Sequence, residues 1–114
     1  MIPNARQGEV WDAVMGPVVG REQDGFRPVL VISIDEFSEG PLGLVHVVPF
    51  TRTHVTAFDV EVTPPQGGLT ARSWALPHHV RSISRLRLKR RRGMVSLETL
   101  AEVEKVLRVI TRVD

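Results

Sequence analysis

Apolar and polar positions alternate along Gly8-Glu9-Val10-Trp11-Asp12-Ala13-Val14. Val10, Asp12 and Val14 fall on one side and Trp11 on the other, which predicts a half-buried strand. Gly16-Pro17 ends it, because proline lacks the N–H a ladder needs and glycine accepts turn dihedrals. A polar loop follows, Gly20-Arg21-Glu22-Gln23-Asp24-Gly25. Arg27-Pro28 then leads into Val29-Leu30-Val31-Ile32-Ser33-Ile34, whose length and β-branched content predict a strand buried on both sides. A rigid strand pair thus presents a charged, glycine-hinged loop with a cation, Arg27, at the strand entrance. Function commonly sits in such a place.

Farther along, Asp35-Glu36-Phe37 predicts one helical turn with Ser33 or Asp35 as its cap. Ser38 to Gly43 is a loop by its Gly/Pro content. Leu44-Val45-His46-Val47-Val48-Pro49 is strongly β. Ala57 to Val62 alternates with period two, which predicts Phe58, Val60 and Val62 inward and Asp59 and Glu61 outward. Pro64-Pro65-Gln66-Gly67-Gly68 reads as a turn with a flexible tip. Thr70–Leu76 and Val80–Ser84 are further short strands around Pro77-His78-His79, and Gly93-Met94-Val95 closes the sheet. The last element is a helix. Ser96 suits its N-cap, and Glu98 faces the positive end of the dipole. Leu100, Val103, Leu107 and Ile110 follow one face, which Leu97, Val106 and Val113 widen. Many short strands and one packed helix predict a small, strongly bent β-barrel with a C-terminal helix, mainly β with α. No internal repeat or domain boundary is visible, so residues 1–114 are expected to form one domain.

Composition narrows the chemistry. The chain has 114 residues, 42% of them hydrophobic and 25% charged, ordinary values for a globular protein. It has no cysteine, hence no disulfide, thiol nucleophile or zinc–thiolate site. No apolar run reaches transmembrane length, and residues 1–7 lack the apolar core of a signal peptide. A soluble cytoplasmic protein is expected. The net charge is +2, but Arg81 to Arg92, RSISRLRLKRRR, holds seven of the fifteen Lys and Arg. Such a cluster either attracts a polyanion such as RNA or forms a solvated face.

Three stretches together resemble the MazF/PemK (Kid) family of toxin endoribonucleases. They are Gly8-Glu9-Val10-Trp11, Gly20-Arg21-Glu22-Gln23 and Gly25-Phe26-Arg27-Pro28-Val29-Leu30-Val31. The resemblance continues through Val47-Val48-Pro49-Phe50-Thr51, Val80-Arg81-Ser82-Ile83-Ser84-Arg85-Leu86 and the terminal helix. It implies an SH3-like barrel of the CcdB/PemK type that forms a homodimer. It implies metal-independent, sequence-specific cleavage of single-stranded RNA, chiefly mRNA, to 2′,3′-cyclic phosphate and 5′-hydroxyl ends, without a cofactor. It also implies a partner, an antitoxin whose acidic C-terminal segment covers the site.

Cleavage of that kind needs a base for the 2′-OH, an acid for the departing 5′-oxygen and donors for the charge on phosphorus. Arg27 matches the family's catalytic arginine, and a guanidinium can give a phosphate two in-plane hydrogen bonds. Its other role would be an ion pair with Glu22 or Asp24. Thr51 matches the family's threonine and could hold a phosphate oxygen, or satisfy its own backbone; Thr53 competes with it. Arg21 stands where several members have histidine, and an arginine there suits phosphate contact better than proton transfer. Glu22 is a candidate base or a structural group of the loop, and Gln23 a positioning group. His78 stands where the family often has aspartate, and Leu76 where some members have arginine. His78 would replace the lost proton transfer, or contact RNA together with His79. A metal on His78 and His79 lacks a third ligand. Arg81 matches an arginine with an RNA-binding or structural role, and Trp74 or Trp11 could stack on bases. The base stays open among Glu22, His78 and a water. Two other functions remain open beside this one. One is a CcdB-like toxin that binds DNA gyrase; the other is an impaired member that binds only RNA or antitoxin.

Overall fold

The apolar run at 29–31 lies near the middle of the sheet, with Val29, Leu30 and Val31 all fully buried. The computed structural model describes residues 3–16 and 25–112. Arg21, Glu22, Gln23 and Asp24, and Val113 of the helix face, lie outside the described residues. The strands are β1 (Glu9–Val14), β2 (Phe26–Val31), β3 (Leu44–Thr51), β4 (Val60–Val62), β5 (Ser73–Ala75), β6 (Arg81–Ser84) and β7 (Leu88–Met94). The helices are α1 (Asp35–Ser38) and α2 (Leu97–Thr111). The strand order is β4-β5-β3-β2-β1-β7, antiparallel throughout, with β6 also on β3. One edge of β3 serves two partners, β6 along residues 44–47 and β5 along residues 50–51.

Period-two alternation divides the apolar residues between two cores. Val10, Leu30, Val48, Val62 and Ala75 pack with Leu100 and Val103 of α2. Ala13, Val29, Val31, Val45 and Val47 pack with Ile83 and Leu88. Side chains of adjacent strand residues face opposite ways, so one continuous apolar run feeds both. Helix α2 starts as expected: the Ser96 hydroxyl accepts the Thr99 N–H at 3.1 Å, and Glu98 lies in the first turn. Its buried face is narrower than the sequence suggests. Leu97 is 84% exposed and Ile110 42%, because only the middle of the helix crosses the curled sheet.

Several local expectations are corrected. The turn α1 is preceded by Ile34 and has no side-chain cap. Ser33 instead bonds Ser38, and Asp35 accepts the Gln7 N–H. Strand β4 covers only 60–62. Phe58 is exposed and the Asp59 side chain is buried, the reverse of the alternating pattern. The Pro64–Gly68 stretch is no loose tip: Gln66–Gly68 is a 3-10 turn with Gly67 buried, and the Gln66 side chain accepts the Ser96 N–H. The strand expected at Thr70–Leu76 shrinks to β5, and His78 and His79 sit in a 3-10 turn between β5 and β6.

The basic run spans β6, a 3-10 turn at Arg85–Arg87 and most of β7, and β7 pairs with β1 at the sheet's edge. Glu9 is 6% exposed and ties the two strands together. Its carboxylate accepts the Arg6 N–H, the Trp11 indole N–H and the Arg91 guanidinium. Burial pushes the Glu9 carboxyl up, but these donors together outweigh it and hold it below its usual range. Asp12 binds Arg90 at 3.0 Å and Arg92 at 3.1 Å. Arg81 and Arg87 donate to the carbonyls of Met15 and Val14. Five of the seven cations of the run are thus engaged by the fold itself, which leaves less of it free for a polyanion than the bare count implies.

Candidate active cleft

Strand β2 pairs with β3 through Val29↔Pro49, Leu30↔Val48 and Val31↔Val47. Continued by two places, this register sets Arg27 across from Thr51. The hydrogen-bonded ladder ends before that point and the strands open into a cleft of about 530 Å³. Arg27, Thr51, Arg52, Thr70, Ser73 and Arg92 supply its polar lining, and Phe50 and Leu69 part of its apolar floor. Among the described residues, three that line the cleft are arginines and none is acidic, so this lining favours an anion.

The local structure positions each group. Pro28 has no N–H to donate to a ladder and fixes its own φ, which suits the entrance of β2. The Thr51 hydroxyl accepts the Thr53 N–H at 3.2 Å. This hydrogen bond engages an acceptor lone pair and leaves the hydroxyl proton for an anionic oxygen. Both readings of Thr51, backbone partner and phosphate donor, are therefore compatible in one geometry. Arg92 is held from two sides, by Asp12 at 3.1 Å and by the Gly68 carbonyl at 3.1 Å. Among the described residues, none of the ion pairs uses Arg27.

Arg27 and Thr51 meet in the cleft. Thr53 is exposed just beyond it. His78 and His79 are not among its lining residues. They stand together, rings 4.6 Å apart, with His78 6.1 Å from Phe58. Arg81 is exposed at the start of β6 and donates to the Met15 carbonyl. Arg52, Thr70, Ser73 and Arg92 were not singled out from the sequence. Arg52 adjoins Thr51, and Arg92 ends the basic run, but nothing in the local pattern marks either as facing Arg27.

Beside the cleft, the loop after β3 is organised by Asp59. Its side chain is 1% exposed and accepts the N–H groups of Val55 and Thr56 and the Thr56 hydroxyl. His54 Nδ1 lies 3.1 Å from the same carboxylate. Burial raises the Asp59 pKa, but this set of donors overrides it and holds the carboxyl far below its usual value. A carboxyl depressed in the folded state adds stability above its unfolded pKa of about 3.9, and that stability is lost as pH falls below it. Glu9 acts in the same direction. The denaturant midpoint is expected to fall from pH 5 to pH 3, and to fall less in Asp59→Asn. An equal fall in both proteins would show that Asp59 carries none of the effect.

Residues 6–111 match the model of the PemK-like, MazF-like toxins of type II toxin-antitoxin systems. The chain is 32% identical over 110 residues to the endoribonuclease MazF9 of Mycobacterium tuberculosis, covering 91% of this chain and 93% of that one. The crystal structure of MazF from Deinococcus radiodurans superposes with a TM-score of 0.79 at 26% identity, over 97% of this chain and 99% of that chain. A mycobacterial endoribonuclease in complex with its cognate antitoxin shares the fold, with a TM-score of 0.76 at 19% identity over 96% and 97% of the two chains. With the barrel, the cleft and a match over nearly its whole length, this chain belongs to the PemK-like, MazF-like toxin family.

Proposed function

We propose that this toxin is a metal-independent endoribonuclease that cuts single-stranded RNA, mainly mRNA, in the cytoplasm. The observation that carries the proposal is the meeting of Arg27 and Thr51 in a cleft that two further arginines also line. A 2′-OH gives up its proton to a base and attacks phosphorus. The bond to the 5′-oxygen breaks, and that oxygen takes a proton. The products are a 2′,3′-cyclic phosphate and a 5′-hydroxyl. Arg27 and Thr51 donate to the non-bridging oxygens, where charge grows in the transition state. Arg52 and Arg92 hold the flanking backbone. The base is Glu22 or a water; His78, off the cleft lining, suits contact with the RNA beyond it.

The toxin works as a homodimer and is silenced by an antitoxin whose acidic, disordered C-terminal segment covers the cleft. The likeness to a mycobacterial endoribonuclease seen in complex with its cognate antitoxin supports the antitoxin part of this reading. So does the cleft's positive lining, which suits an acidic peptide as well as RNA.

The test is incubation of the purified protein with long single-stranded RNA in EDTA, followed by mapping of the ends. Discrete cuts with cyclic phosphate ends are expected. A folded, antitoxin-free protein that leaves the RNA intact overturns the enzyme, and poisoning of DNA gyrase would then mark a toxin of the other class.

A further inference from the structure

Trp74 occupies the centre of β5 and pairs with Thr51 on one side and Glu61 on the other. Residues directly opposite in antiparallel strands point to the same face. Thr51, Trp74 and Glu61 therefore form a row across three strands, which begins at the cleft. The indole does not stand alone. The His54 ring lies nearly parallel to it, at 14° with centroids 5.4 Å apart. The Arg72 guanidinium carbon is 4.8 Å from the ring centroid. Each of these neighbours is tethered by a carboxylate: Arg72 Nε donates to Glu61 at 2.6 Å, and His54 is held by the backbone-anchored Asp59.

This cluster is not core. The side chains of His54 and Arg72 are 50% and 62% exposed, and Trp74 is itself half-buried. The cluster is thus in solvent contact, and Trp74 lies on the strand next to Thr51, with the two backbones roughly 5 Å apart. Single-stranded RNA is recognised by stacking its splayed bases on aromatic rings, histidines and guanidinium planes. Every base has a π face, so such a platform binds without a hydrogen-bond code.

We propose that Trp74, with His54 and Arg72, is the stacking platform for the nucleobase next to the phosphate held by Arg27 and Thr51. The proposal rests on the RNA-cleaving reading and adds to it a base-binding subsite. Asp59 and Glu61 are positioning residues, which hold the imidazole and the guanidinium against the indole before RNA arrives. That preorganisation lowers the ordering cost of binding.

The test uses the full chain and a short RNA with one cut site, made uncleavable by a 2′-O-methyl group at that site. A second copy lacks the base on the neighbouring nucleotide. Trp74→Leu is expected to weaken binding of the intact RNA about tenfold, the scale of one lost base stack, while Trp74→Phe binds like the parent. The base-less RNA should bind the parent about as weakly as the intact RNA binds Trp74→Leu, with no further loss when both changes are combined. On cleavable RNA, Trp74→Leu should raise KM and leave kcat nearly unchanged. If Trp74→Leu does not fold, indole fluorescence of Trp11→Phe, in which Trp74 is the one remaining tryptophan, gives the same answer, quenched by intact RNA and not by the base-less copy.

Unchanged binding by folded Trp74→Leu, or a base-less penalty that persists undiminished in it, overturns the platform and leaves the nuclease standing. Trp74-dependent binding without cleavage of ordinary RNA upholds the platform and removes the nuclease.

Discussion

Replacing Arg27 with alanine is expected to slow RNA cleavage by about 10²–10³-fold, the usual loss when one donor to a developing oxyanion is removed. The protein should remain folded, because Arg27 is exposed at the mouth of β2 and takes part in none of the ion pairs among the described residues. The defect should appear in single-turnover rates with saturating enzyme, which report the chemical step apart from binding. Arg52 and Arg92 still line the cleft, so binding of uncleavable RNA should fall much less. Arg27→Lys should recover only part of the rate, since an ammonium keeps the charge and loses the in-plane pair of hydrogen bonds. Cleavage by Arg27→Ala at the parent rate would remove Arg27 from the chemistry.

The second large effect is on folding. Gly68→Ala is expected to destabilise the protein by about 3 kcal/mol or more, a large part of a typical domain's stability. Gly68 has φ of +65°, which costs an alanine strain, and a Cβ there would overlap the carbonyl oxygen of Arg92. Gly93 faces it, and a Cβ at Gly93 would lie 2.7 Å from the Gly68 nitrogen. Neither backbone can give way cheaply. Gly93 belongs to β7, which is paired with β1, and Gly68 ends the turn that follows the opposite edge strand, β4. This contact closes the curled sheet. Arg92 also bonds the Gly68 carbonyl and lines the cleft, so folded Gly68→Ala should also bind RNA more weakly. Urea unfolding measures the first effect. A midpoint equal to the parent's would show that the seam is more yielding than its contacts indicate.

The misreadings share a cause. The alternation at 57–62 looked like a strand, but Asp59 found local N–H donors at Val55 and Thr56, and short acidic side chains compete with strand ladders in this way. That turned Phe58 outward. The glycines of 67 and 68 suggested a loose tip, whereas they permit the close approach of two backbones. The charges of β7 concealed a strand, because an edge strand accepts charged side chains. Periodicity therefore failed where a side chain bonded its own neighbouring backbone or where a distant segment set the conformation.

Legible in the sequence were the two-sided burial of residues 29–31, the capped terminal helix, the family, and the nomination of Arg27 and Thr51. The first two depend on side-chain type and on neighbours within a few positions; the family and the two nominated residues rest on the resemblance of motifs in their order along the chain. Which residues share the cleft was set by the packing of distant segments. Register brings Arg27 toward Thr51. Curling of the sheet carries Arg92 to the same place. The pairing of β3 with β5 sets Trp74 beside Thr51 and leaves His78 off the cleft lining. Strand register and sheet curvature arise from contacts between distant segments, so no local pattern in the chain encodes those neighbours by itself.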